Sequence, residues 1–271
     1  MHPPLAIIGG GNMAHAIYSG ALRAGVLDPS RVVVADPDPA KRAAFTHARP
    51  TAPQAIDWLD AQSEPGQIML AIKPQSLPAL ATELKARLHT HVLISILAGT
   101  PGASLRTHLG ASLRIIRVMP NTPARIGRGM TAVALSAGAS PGDDAFAQTL
   151  FAAIGAVVTI GESQMNAFTA IAGSGPAYLF YLAEAMQSAA ADMGLDAPTA
   201  ALAVRETLAG ASLLLAADAS PPASLRAAVT SKRGTTAAAT DALDASGVME
   251  AIKRAVLAAR DRGDELAREM N

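Results

Sequence analysis

The first half of the chain alternates short apolar runs with segments of helical length. Most runs are rich in valine and isoleucine and lack polar alternation, so they predict strands buried on both faces of a parallel sheet. The runs are Leu5–Ile8, Val32–Ala35, Ile68–Ile72, Val92–Leu97, Leu113–Val118, Thr131–Leu135 and Ala156–Ile160, with helical segments around residues 12–25, 38–47 and 77–89. This alternation predicts a doubly wound α/β domain.

After about Gly161 the strand pattern stops, and long segments rich in alanine and leucine follow. They predict helices at Pro176–Met193, Pro198–Ala217 and Val248–Met270, with glycine or proline at the joints. We therefore predict a sheet domain at residues 1–162 and an all-helical domain at residues 163–271. A helical domain with this much apolar surface buries it most simply against a second copy, so we expect a homodimer.

Composition narrows the class of protein. The 271 residues are 50% hydrophobic with a formal net charge of zero, which allows a large core and lacks the basic surplus typical of nucleic-acid or membrane-surface binding. The chain has no cysteine, and His89 and His91 have no carboxylate at metal-ligand spacing, so no metal site is expected. Without a signal-peptide or membrane-span pattern, we expect a soluble, cytoplasmic protein.

A glycine-rich turn joins the first predicted strand to the first helix. Gly9, Gly11 and Ala14 form a Gly-x-Gly-x-x-Ala pattern, with Asn12 and Met13 between its last two positions. In this pattern the glycines permit a tight turn and a close approach of backbone to pyrophosphate, and the alanine lets the helix pack on the strand. Because a strand precedes the pattern and a helix follows it, we predict a Rossmann-type dinucleotide site.

Asp36 follows the second predicted strand, 22 residues after Ala14, near the spacing of an acid that binds ribose. Its carboxylate would accept hydrogen bonds from a 2′-hydroxyl and repel a 2′-phosphate, which favours NAD over NADP. The alternative is that Asp36 opens a turn and caps the next helix, a position that Asp38 suits better. The pattern therefore favours NAD but leaves NADPH and NADH both open.

Three further segments follow predicted strands and should lie at the same edge of the sheet. Because a dinucleotide lies along the carboxyl ends of parallel strands, we expect these segments to line the cofactor site. Pro120 and Pro123 flank Asn121 and Thr122 and would present them as rigid polar groups. The predicted cofactor-binding residues in these segments are Ala71, Ile72, Lys73, Pro74, Ala98, Gly99 and Asn121.

Four motifs occur in order along nearly the whole chain: Gly9-x-Gly11-Asn12-Met13-Ala14, Ala71–Pro74, Met119–Ala124 and Gly173–Tyr178. Together they resemble the Δ1-pyrroline-5-carboxylate reductase family. The resemblance implies an oxidoreductase of proline biosynthesis that acts on a CH–NH bond. It also implies reduction of 1-pyrroline-5-carboxylate to L-proline with NADPH or NADH, and dimers that often associate into decamers.

The family's substrate loop matches Val229–Thr236. The resemblance implies that this loop reaches the partner subunit's nicotinamide. Ser231 and the backbone amides of Gly234 and Thr235 would bind the substrate carboxylate, and Thr236 would help to deliver the proton. Ser231 and Thr236 are thus the predicted catalytic residues, and Met119 joins the predicted substrate-binding residues. The chain departs from the family's usual Thr-Ser-Pro-Gly-Gly-Thr-Thr, because Lys232-Arg233 replaces Pro-Gly.

Two other functions stay open at this point. A β-hydroxyacid dehydrogenase shares the glycine-rich start and the helical second domain. That family places a catalytic lysine on the first long helix of the second domain, whereas Gly175–Gly194 contains no lysine. A non-catalytic NAD(P)-binding paralogue is suggested by Lys232-Arg233, and it would bind cofactor without turnover.

Overall fold

The structure is a computed structural model that describes residues 2–84, 87–88, 91–136 and 138–270. It forms two compact units, Met1–Ser174 with Ala259–Asn271, and Gly175–Ala258. The end of the chain therefore belongs to the first compact unit rather than to the helical one. The functional domains at 1–162 and 163–271 stay a prediction. His89 lies outside the described residues.

The first unit is built on an eight-stranded sheet with the order β3-β2-β1-β4-β5-β6-β7-β8. Neighbouring strands are parallel, except for the antiparallel pair β6 and β7. The strands are β1 (Leu5–Ile8), β2 (Val32–Ala35), β3 (Ala48–Arg49), β4 (Gln67–Leu70), β5 (Val92–Ser95), β6 (Arg114–Met119), β7 (Gly129–Leu135) and β8 (Gly155–Thr159). The predicted Rossmann-type sheet is confirmed, and the sequence reading missed only the two-residue β3.

Helices cover both faces of this sheet, and the sequence pattern predicted only some of them. The predicted helix at 38–47 contains only four helical residues, and four other helices of this unit were missed. The first-unit helices are α1 (Asn12–Arg23), α2 (Pro39–Arg42), α3 (Ala52–Asp60), α4 (Leu77–Leu84), α5 (Gly102–Leu109), α6 (Ala145–Ala152) and α7 (Met165–Phe168), followed by a π-helical turn at Thr169–Gly173. Part of the predicted 77–89 segment lies outside the described residues.

Strand β1 shows why the apolar runs lack polar alternation. Leu5 and Ile7 pack into one core cluster with α1 and α6, while Ala6 and Ile8 pack into a second cluster with α3, α4 and α5. Because successive side chains of a strand point to opposite faces, a strand covered on both faces is apolar at every position. The turn after β1 is thereby held at the centre of the sheet.

The second unit is helical, as predicted, and many of its large apolar side chains are exposed in the single chain, among them Phe180, Leu202 and Ile252. Within the described part of the chain, one helix, Ala197–Ala217, is long and apolar enough to cross a membrane by length and composition alone. The helices of this unit are α8 (Gly175–Asp192), α9 (Ala197–Ala217), α10 (Pro222–Ala228), α11 (Thr235–Ala245) and the first part of α12 (Val248–Glu269).

Candidate functional site

A cleft of about 500 Å³ lies at the carboxyl ends of β1, β2 and β4. It brings together predicted cofactor residues from three separate segments, namely Gly9, Gly11, Asp36, Ala71, Ile72 and Lys73. The sequence reading missed Lys41, Thr51 and Ser76, which also line the cleft. They lie in α2, before α3 and before α4, where no motif marks them.

The two glycines of the turn play different parts. Gly9 has φ +105°, and a Cβ there would lie 2.5 Å from the carbonyl oxygen of Ala71, so the fold itself excludes any side chain. Gly11 has an ordinary φ of −72°, and a Cβ there would meet no heavy atom within 4 Å. The space beside Gly11 is therefore open to a ligand.

The start of α1 carries the remaining predicted residues of this turn. Asn12 is the first helical residue and is exposed, Met13 is half-buried, and Ala14 packs in the core. No side chain of the described residues caps this helix. Its first N–H groups, together with the space beside Gly11, fit the pyrophosphate of a dinucleotide.

Asp36 is 6% exposed and joins the turn after β2 to the glycine turn. Its Oδ2 accepts the N–H of Gly10 at 2.8 Å, and its Oδ1 accepts the N–H of Asp38 at 2.9 Å. Lys41 Nζ lies 3.8 Å from the same Oδ1. Asp38 caps α2 by accepting the N–H of Ala40, which confirms that Asp38 rather than Asp36 caps this helix.

The segments after β4 and β5 lie side by side. Pro74 begins a 3-10 turn that ends at Ser76. The N–H of Ile96 donates to the carbonyl of Leu70 at 3.1 Å, which ties the end of β5 to the end of β4. Beyond it, Ala98 is exposed, whereas Gly99 is buried with φ +64°.

Met119 and Asn121, at the end of β6, are engaged largely with the protein itself. The side-chain amide of Asn121 donates to the carbonyl of Ala172 at 2.9 Å and accepts the N–H of Met130 at 2.9 Å. The Met119 side chain lies against Gly173, where an added Cβ would meet its Cε at 2.8 Å. Both ends of the Asn121 amide therefore hold the fold together.

Glu162 and Arg117 fix the start of α5 against β6. Glu162 Oε1 accepts the N–H of Gly102, at the start of α5, at 2.7 Å and lies 3.5 Å from Nη1 of Arg117. Burial lowers the pKa of the Arg117 guanidinium, and Glu162 opposes that shift. The described residues include no group of three His, Asp or Glu that could hold a metal ion. The expectation of no metal stays a prediction.

The predicted substrate loop lies in the second unit and forms a tight turn from Ser231 to Gly234. The N–H of Gly234 donates to the carbonyl of Ser231 at 3.0 Å. Arg233 has φ +61°, and no other non-glycine residue in the described ranges has a positive φ. A Cβ on Gly234 would lie 2.2 Å from Ser231 Oγ. The Ser231 hydroxyl is thus held against the residue that precedes α11.

The start of α11 has the character of an anion site. Gly234 is its N-cap, no described side chain caps it, and no acid lies in its first turn. Thr235 and Thr236 are therefore the first helical residues rather than the cap. Lys232 and Arg233 are exposed beside this positive end of the helix dipole. The free N–H groups, the hydroxyls and the two cations together suit a small carboxylate.

Two family models match the chain. Residues 162–266 match the model described as pyrroline-5-carboxylate reductase dimerisation, and residues 4–99 match the model described as NADP oxidoreductase coenzyme F420-dependent. The first covers the helical unit and the substrate loop. The second covers the glycine turn, Asp36 and the segments after β4 and β5.

Individual proteins match over the full length. The pyrroline-5-carboxylate reductase of Haemophilus influenzae is 37% identical, covering 98% of each chain. A solved pyrroline-5-carboxylate reductase from Coxiella burnetii is 31% identical, with a TM-score of 0.86 over 98% of this chain and 99% of that one. The Plasmodium falciparum pyrroline carboxylate reductase, solved with NADP bound, has a TM-score of 0.87 at 24% identity over 98% of each chain, which shows a shared fold.

Alanine substitutions at the two glycines should separate folding from cofactor binding. Gly9→Ala places a Cβ against the Ala71 carbonyl in a backbone region that alanine avoids, so we expect a loss of about 2 kcal/mol or more in the free energy of unfolding. Gly11→Ala should change that free energy by less than about 1 kcal/mol, yet weaken cofactor binding at least about tenfold. Urea unfolding and NADPH fluorescence titration measure the two effects. Unchanged cofactor affinity in Gly11→Ala would place the pyrophosphate elsewhere.

Proposed function

The chain belongs to the pyrroline-5-carboxylate reductase family, and from that premise we propose how its residues reduce the C=N bond of 1-pyrroline-5-carboxylate to give L-proline. It is an NAD(P)H-dependent oxidoreductase with a small-molecule substrate. The observation that carries the proposal is that the chain has both a dinucleotide cleft built on Gly9 and Gly11 and an uncapped, electropositive helix start at Gly234. The alternative function, that of a β-hydroxyacid dehydrogenase, is not favoured by these features or by the relatives.

Binding of the cofactor falls to backbone groups at the edge of the sheet. When bound, the reduced nicotinamide supplies the hydride. The glycine turn and the first N–H groups of α1, from Asn12 to Ala14, would hold the pyrophosphate, and Asp36 would face the adenosine ribose. The segments Ala71–Pro74 and Ala98–Gly99, with the backbone at Asn121, would border the other half of the cofactor, because they lie on the β4–β6 side of the crevice.

Binding and protonation of the substrate fall to the loop before α11. The hydroxyl of Ser231 and the N–H groups of Gly234 and Thr235 would hold the carboxylate, with Met119 as an apolar neighbour of the ring. The carbon of the C=N bond receives the hydride, and its nitrogen receives a proton. Residues 163–271 contain no histidine or cysteine, so the Thr236 hydroxyl, resupplied by water, is the group that we assign to deliver this proton.

Assembly follows from the exposed apolar faces of the second unit. We propose a homodimer in the cytoplasm in which the apolar side chains of α8 and α9 pack against a second copy, and in which dimers associate further into a decamer. The loop before α11 of one subunit would then serve the cofactor of its partner. Burial in such an interface also accounts for the apolar character of α9 without a membrane.

Turnover is the direct test of the function. Purified protein should oxidise NADPH or NADH only when 1-pyrroline-5-carboxylate is present, and Thr236→Val should lower kcat by about 100-fold, because a positioned proton donor contributes at least that factor. Thr240→Val is the matched control, since its hydroxyl already bonds the carbonyls of Thr236 and Ala237 one turn further along. Cofactor binding without any turnover would contradict the proposal and favour the non-catalytic paralogue.

Asp36→Asn should shift the choice of cofactor. Removing the negative charge removes its repulsion of a 2′-phosphate, so the ratio of kcat/KM for NADPH to that for NADH should rise about tenfold or more. Stability should fall by about 1 kcal/mol, because an amide cannot accept from both Gly10 and Asp38. In the control Asp38→Asn, asparagine caps α2 equally well and the ratio should stay constant. A constant ratio in Asp36→Asn would leave Asp36 with a structural role alone.

Arg233→Gly tests two expected effects of the Lys232-Arg233 pair, namely strain in the backbone and added positive charge. The variant relieves a left-handed backbone, which should stabilise the protein by up to about 1 kcal/mol. It also removes an exposed cation beside the carboxylate site, so KM for 1-pyrroline-5-carboxylate should rise up to about fivefold and depend less on salt.

The control is Arg254→Ala, which removes an exposed arginine of α12 and so tests the loss of one positive charge alone. The double variant Lys232→Pro with Arg233→Gly restores the Pro-Gly pair that the resemblance to the family implies. Its kcat should stay within about threefold of the parent, since the turn is already formed. A gain in kcat of about 100-fold or more would instead show that the two cations impair the loop and would support the non-catalytic reading.

A further inference from the structure

The end of α12 packs on the loop that follows β5. Gly99 in this loop is buried, and a Cβ added there would lie 3.0 Å from Cβ of Leu266. The positive φ of Gly99 already disfavours any side chain, so conformation and packing both demand glycine. Leu266 therefore lies over the backbone of Gly99, close enough that an added Cβ would be in tight contact with it.

Two hydrogen bonds hold this part of α12 in place. Ser104, fully buried on α5, donates from Oγ to the carbonyl of Met270 at 2.6 Å. Asn166 donates from Nδ2 to Oδ1 of Asp264 at 2.7 Å. Met270 also packs against the core cluster that covers this face of the sheet. Because residues 266 and 270 are four apart, Leu266 and Met270 lie on one face of the helix end, and both face the first unit.

The loop after β5 has few hydrogen bonds of its own among the described residues. Its internal hydrogen bonds are long, 3.4 Å from the N–H of Leu97 to Ser95 Oγ and 3.3 Å from Thr100 Oγ1 to the carbonyl of Ala98. At its two ends it is fixed by Ile96 to β4 and by Gly102 to Glu162. Between these anchors, the atoms nearest to the missing Cβ of Gly99 all belong to Leu266, and we expect this contact to help fix the backbone of residues 98–100.

We propose that Leu266 is a positioning residue for the cofactor. It presses on the buried side of Gly99 and so holds the exposed Ala98 backbone in place beside the carboxyl end of β4, where the Ala71–Lys73 segment borders the cleft. A loop held this way meets the dinucleotide without first being ordered, which preserves the free energy of binding. The inference rests on the proposed function only in that the cofactor occupies this edge of the sheet.

Direct cofactor binding tests the proposal without turnover. Titration of the full-length protein with NADPH and NADH, followed by nucleotide fluorescence in the absence of substrate, should show about tenfold weaker binding in Leu266→Ala, and Leu266→Met should restore most of the affinity. Leu150→Ala is the matched control, because Leu150 is fully buried in the core cluster on the other face of the sheet. It should lower stability without changing the dissociation constant.

Gly99→Ala provides a second route if Leu266→Ala does not fold. Its added Cβ pushes against Leu266, so this variant alone should also weaken binding. Where both single variants fold, the double variant should weaken binding by less than the product of the two single effects. Equal dissociation constants in the parent, Leu266→Ala and Leu150→Ala would overturn the inference. A parent protein that binds neither nucleotide would instead overturn the proposed function.

Discussion

The position of Gly9 between two neighbouring strands is the constraint on which the site depends. Its N–H donates to the carbonyl of Ala35, at the end of β2, at 2.7 Å. Its Cα lies so close to the carbonyl of Ala71, after β4, that no side chain fits. The turn after β1 is thus fixed to the strand on each side of it. The crevice at the carboxyl ends of these strands takes its shape from that arrangement, and α1 begins where a phosphate needs free N–H groups.

Most strands of the sheet could be predicted because burial on both faces makes them apolar at nearly every position. The helices were harder, and the predicted helix at 38–47 shows why. It ends at Arg42 because Phe45 enters the core against Tyr18, with ring centroids 5.1 Å apart, and Thr46 Oγ1 accepts the Tyr18 hydroxyl. Such contacts join residues far apart in sequence, so no local periodicity reports them. Lys41 and Thr51 were not predicted as cleft residues for the same reason, since tertiary contacts rather than a local motif bring them to the cleft.

In the candidate site, the groups proposed to contact the ligands are mainly backbone groups. Gly9, Gly11 and Gly234 contribute by having no side chain, because each lies where an N–H group or another atom must come close. Two equally buried charged side chains mainly hold backbone in place: Arg117, outside the cleft, joins β6 to the start of α5 through Glu162, and Asp36, in the cleft wall, accepts the N–H groups of Gly10 and Asp38. This division suits a hydride transfer in which the cofactor carries the reactive electrons, because the protein needs fixed geometry more than a tuned acid or base.

A site of this kind would constrain conformation more than side-chain identity, which is consistent with Lys232-Arg233 at the positions where the resemblance to the family implies Pro-Gly. The turn from Ser231 to Gly234 needs a left-handed residue at its third position, and Arg233 adopts that conformation although its Cβ disfavours it. The hydrogen bond that closes the turn, and the close fit of Ser231 Oγ against Gly234, are both kept. What differs is charge, two cations beside a helix start that already attracts anions. We therefore expect the substitution to strengthen the attraction of an anionic substrate, to add local strain at Arg233, and to leave the donors of the loop in place.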